Sequence, residues 1–175
     1  MCAKQDNNRN KITARDIAFR ALLAALCIVL GYLESLVSLN FIAPGVKLGL
    51  ANSVALILIC KGDVGGAVTV NLVRILLSAL LFGSPVSLLF SLAAGAASLI
   101  FMWLFSKCKA LSAVGLSIIG AIVHNITQCL VASILLGREV FLYTPLLLLA
   151  GAISGGAVGI ISGIILKKLE TNGKF

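Results

Sequence analysis

Long apolar runs broken by short polar punctuation dominate this chain, and six of them predict membrane-spanning helices. The first runs from near Thr13 to about Val37 and opens on an amphipathic turn holding Arg15, Asp16 and Arg20. A Pro-Gly loop at residues 38–47 leads to a second run, about 48–60, between Lys47 and Lys61. Its thirteen residues make a helix of only about 20 Å, short of the ~30 Å hydrocarbon core. Snorkelling lysines and the preceding Gly45-Val46 can bridge that gap. The tight KGDVGG connection then opens the third run, 64–83. Gly83-Ser84-Pro85 starts the fourth, about 86–105, which ends at Trp103 near the interface. The fifth covers about 113–136, and GREVFLY leads past Pro145 into the sixth, about 145–166.

These runs predict an all-α integral membrane bundle of six transmembrane helices. Polar tails at 1–13 and 167–175 flank one transmembrane domain at 14–166. Composition agrees: 60% of the residues are hydrophobic and 11% charged, against about 25% charged in soluble domains. The net charge of +8 is concentrated at segment ends, which argues for membrane orientation and contact with anionic headgroups rather than nucleic acid. Lys4, Arg9, Lys11, Arg15, Arg20, Lys61, Lys107, Lys109, Lys167, Lys168 and Lys174 share one side, and only Lys47 and Arg138 lie opposite. The positive-inside rule places both termini in the cytoplasm of a cell (inner or plasma) membrane protein. No removable signal peptide is evident, so the first span serves as insertion signal. The scattered cysteines Cys2, Cys27, Cys60, Cys108 and Cys129 lack metal-like spacing, and the three inside apolar runs read as small packing residues.

Polar residues inside the apolar runs are the candidates for function. Arg74 lies near the middle of the third span, where an arginine costs about 2.5–3.5 kcal/mol on insertion scales. Asn71 and Ser78, three before and four after it, share its helical face. Orientation puts Glu34, Asn52, Ser53, Arg74, His124, Asn125 and Gln128 in the middle-to-outer half of the membrane. A cavity open to the outside accounts for that clustering. Arg74, Lys47 and the amides would then donate to a small anionic solute. Each residue also has a plainer role: the amides and Ser53 can bond a neighbouring helix, His124 can pack, and Arg74 can pair with Glu34. Ala14, Ala18, Ala21 and Ala25 form a small-residue seam, for internal packing or for a partner subunit. Gly151, Gly155, Gly159 and Gly163 form a second stripe, suited to close helix packing.

No catalytic apparatus is legible. The spans hold no paired carboxylates, no metal-ligand cluster, no phosphate-cradling GxxxxGK loop and no partner for His124 in nucleophilic catalysis. The reading is therefore a non-enzyme without a cofactor.

GVKLGLANSVALIL, NLVRILLSALLFGSPVSLLFSLAAG, SIIGAIVHNITQ and YTPLLLLAGAISG resemble one membrane family over about residues 12–166. That family carries two labels, Gx transporter family and heptaprenyl diphosphate synthase component I. It looks related to the substrate-binding S components of energy-coupling factor transporters. The resemblance implies a six-helix, S-component-like fold with an outward pocket near the first extracellular loop. It also implies docking of a coupling subunit, itself attached to ATPases, on an Ala-x-x-x-Ala seam matched here by Ala21 and Ala25. Solute capture, closure of 38–47 and reorientation of the whole subunit would follow. Prenyl chain elongation uses DDxxD motifs, whereas Asp6, Asp16 and Asp63 are isolated. Under the synthase label the chain would be a non-catalytic partner in prenyl or quinone metabolism. Similar proteins also accompany flavin-linked electron-transfer systems, which implies a membrane component of such an assembly.

Overall fold

The computed structural model describes residues 14–36, 52–82, 84–108 and 110–171, and these residues are helical throughout apart from short turns. The helices are α1 (Ala14–Leu36), α2 (Asn52–Cys60), α3 (Val64–Phe82), α4 (Pro85–Ser106), α5 (Ala113–Leu136) and α6 (Thr144–Thr171). A short 3-10 helix, Arg138–Tyr143, precedes α6. Among the described residues five helices are long and apolar enough to cross a membrane. The exception is α2, whose nine residues span only about 13.5 Å.

That shortest helix is the hub. Among the described residues α2 touches every other helix, while α1–α3, α3–α4, α4–α5 and α5–α6 are neighbours around it. Six of its nine residues, Val54, Ala55, Leu56, Leu58, Ile59 and Cys60, are buried. A helix largely surrounded by its neighbours has less need to match the thickness of the bilayer. Among the described residues α1 and α6 are not in contact, which leaves a gap on that side of the ring.

Local chemistry sets the helix ends. Gly62, at φ 80°, terminates α2: its N–H bonds Ile59 O at 2.9 Å and the Asp63 N–H bonds Leu58 O at 2.9 Å. This is the paired closure that a left-handed residue permits after a helix. Asp63 then caps α3 by accepting the Gly66 N–H at 2.9 Å. Ser84 and Ser87 form a reciprocal capping box across Pro85, the first residue of α4. Ser112 caps α5 through Gly115 N, and Gly137, at φ 98°, ends it. At the far end of α4, Lys107 Nζ lies 4.0 Å over the Trp103 ring, a cation–π contact suited to the membrane interface.

Outward faces are lipid-like. Leu80 is 81% exposed and Ile134 82%, whereas Asn71, Ser98, Ser117 and Ser162 are buried. Apolar surface outside with small and polar groups inside is the architecture of a multi-pass membrane protein. Two sequence expectations change in detail. The sixth helix runs on through Lys167 and Lys168 to Thr171, because Lys, Leu and Glu are good helix formers beyond the apolar boundary. Cys60, expected only to pack, is disulfide-bonded.

Candidate functional site

The inner face of α3 is built by the periodicity that the sequence suggests. Ala67, Val70, Asn71 and Ile75 are buried, with Arg74 and Ser78 half-buried beside them. Arg74 Nη2 donates to Asn71 Oδ1 at 2.9 Å. Asn71 in turn lies against α4 at Gly95, where an added Cβ would stand 2.9 Å from Asn71 Nδ2 and 2.9 Å from Ile75 Cδ1. The absence of a side chain at Gly95 is what seats the amide beside the guanidinium.

His124, Asn125 and Gln128 form a separate group on α5, all half-buried. Asn125 Nδ2 donates to Leu147 O of α6 at 2.7 Å, so this amide joins two helices. α3 and α5 are not neighbours among the described residues, and the structure does not bring the two polar groups together by direct helix contact. Asn52 belongs to a third place. It lines a small cavity with Met102, Ser117, Gly120, Ala121, Gly155 and Val158. The cavity measures about 10 Å³, no more than the room for one water. Lys47 lies outside the described residues, and so does the side chain of Glu34.

The two small-residue stripes face different ways. Ala14, Ala18, Ala21 and Ala25 are all exposed on α1, while Ala24 and Cys27 turn into the bundle. Gly151, Gly155 and Gly159 lie against α5, near Asn125, Ala121 and Ser117, whereas Gly163 meets nothing within 4 Å.

Three features escape a reading by sequence. Ser98 Oγ donates to Gly120 O at 3.0 Å and ties α4 to α5. Arg20 Nη2 meets Asp63 Oδ1 at 2.8 Å and Oδ2 at 3.1 Å, which fastens α1 to the turn between α2 and α3. The third is an apolar groove of about 460 Å³ in the open side of the ring. Its floor is α2, from Ser53 to Lys61; its walls are the Phe19–Leu30 stretch of α1 and the Val158–Leu169 stretch of α6. Only the pairing of Lys61 with aliphatic residues at helical spacing could have hinted at it.

A family model described as heptaprenyl diphosphate synthase component I matches residues 23–165, well over half of the chain. No curated protein and no solved structure matches it.

Proposed function

We propose, from the premise that this chain belongs to the heptaprenyl diphosphate synthase component I family, that it is the non-catalytic, substrate-binding membrane subunit of a small-molecule transporter. In this reading it is S-component-like, with six spans, both termini cytoplasmic and a pocket facing outward. The exposure of Ala14, Ala18, Ala21 and Ala25 on one face of α1 carries the reading. Helices in lipid associate through close van der Waals contact, which small residues permit. A flat seam turned away from its own bundle therefore suits a second membrane protein, here a coupling subunit attached to ATPases. The Arg74–Asn71 pair on the inner face of α3 offers a guanidinium and an amide to an anionic solute. His124, Asn125, Gln128, Asn52, Glu34 and Lys47 would complete that pocket.

Replacing Ala21 and Ala25 together by Leu tests the docking. Loss of copurification with the coupling subunit, with a monodisperse bundle retained, supports the reading; unchanged copurification contradicts it.

The family's description favours a second reading, a non-catalytic membrane subunit of a prenyl diphosphate assembly; a quinone or flavin-linked electron-transfer assembly is the variant that the sequence resemblance adds. Binding of a quinone or prenyl diphosphate, with no water-soluble compound bound, would select it.

A further inference from the structure

We propose that the small cavity lined by α2, α4, α5 and α6 binds one ordered water molecule, which joins the Asn52 amide of α2 to the Ser117 hydroxyl of α5. This goes beyond the transport reading and stands without it, since an amide bonded to one water keeps further donors and acceptors for a solute.

The size of the cavity selects the ligand. Its volume is about 10 Å³, enough for one water and too little for an organic solute or a lipid chain. Asn52 and Ser117 are the two lining side chains able to form strong hydrogen bonds. Around them stand glycines, Ala121, Val158 and the weakly accepting thioether of Met102, so no other lining side chain competes for a guest.

The polar groups select it as well. Thr69, Thr127 and Ser133 each donate to a carbonyl of their own helix at 2.8 Å, and Ser98 Oγ reaches across to Gly120 O at 3.0 Å. Ser117 does neither. It is 7% exposed, it lines the cavity, and its hydroxyl has no hydrogen bond among the described residues. The Asn52 amide, on the same cavity, likewise has none. Burying a hydroxyl without a partner forfeits its bond to solvent with nothing in return. One water between the two side chains gives each a partner, the role that buried waters fill in protein interiors. The bridge also has a structural consequence. α2 is packed by the apolar residues Val54, Ala55, Leu56, Leu58 and Ile59, and apolar burial is non-directional. A hydrogen-bonded tie to α5 at Asn52 sets the rotation of that central helix.

An experimental structure of the full chain that resolves ordered waters tests this, together with thermal unfolding of two variants. Density for a single water is expected within about 3.2 Å of both the Asn52 amide and Ser117 Oγ. Ser117→Ala should lose that density and shift the unfolding midpoint downward, because the water is left with one side-chain partner. In an Asn52→Ala background the same change should shift the midpoint by much less, since the bridge is already broken. Circular dichroism confirms that each variant is folded. Ordered Asn52 and Ser117 side chains with no density between them overturn the proposal, as does a direct bond from one to the other. A peak ringed by about six oxygens at ~2.4 Å, the coordination of a metal cation, also overturns it. So does a midpoint that Ser117→Ala leaves unchanged or raises, the sign of a hydroxyl buried without any partner, and so do fully additive shifts in the double variant.

Discussion

Asn71 accepts a hydrogen bond from Arg74 at 2.9 Å, one turn apart on the buried face of α3. Because the acceptor is neutral, the arginine's charge is oriented by this bond without being cancelled by it. Asn71→Ala removes an acceptor from a charged donor and should lower stability by about 1.5–3 kcal/mol. The midpoint of thermal unfolding in detergent reads this, and Asn71→Asp should restore the bond.

Gly95 makes room for that pair. Gly95→Val must move both Asn71 and Ile75, each within 2.9 Å of the new Cβ. Overpacking at a helix contact costs about 1–3 kcal/mol. Thermal unfolding should show a loss of that size, whereas Gly65→Ala, where nothing lies within 4 Å, should leave the midpoint unchanged or raised.

The α5–α6 contact divides the glycine stripe. A Cβ at Gly159 would lie 2.7 Å from Val114 Cα and 2.9 Å from Ser117 Cβ, while Gly163 faces open space. Gly159→Ala should therefore force the helices apart and destabilise by about 1–3 kcal/mol. Gly163→Ala should stabilise slightly, since alanine is the better helix former by about 1 kcal/mol. Opposite shifts in the size-exclusion thermal profile check the pair.

Asp63 serves two partners, Arg20 on α1 and the Gly66 N–H at the start of α3. Asp63→Ala loses both the cap, worth about 1 kcal/mol, and a partly exposed ion pair worth up to about 1 kcal/mol. Arg20→Met loses only the ion pair and should cost no more than about half as much. Chemical or thermal unfolding of the two variants side by side separates the contributions.

Most helices were legible in the sequence because apolar runs between polar turns define them. Ala113–Leu136 falls where the fifth run does, and Val64–Phe82 differs from the third by one residue. The periodicity of Asn71, Arg74 and Ser78 likewise marked the inner face of α3. Relations between helices were not legible. The Arg20–Asp63 pair joins residues 43 apart in sequence; Arg20 read as an interfacial charge and Asp63 as part of a tight connection. The central place of α2 follows from how five helices surround nine residues, which its own apolarity does not encode. Side chains such as Leu26 and Ile161 face a groove, yet their chemistry is the same as that of residues facing lipid. The polar residues of α3 and α5 share a depth in the sequence reading, but depth alone does not make helices neighbours.

Solute capture at Arg74 is the centre of this account, and mass spectrometry of small molecules released from the purified protein tests it most directly. Wild-type protein should release a water-soluble anionic compound in near-stoichiometric amount, and a folded Arg74→Ala variant should release none. Identical release from the two proteins, or none from either, would contradict it.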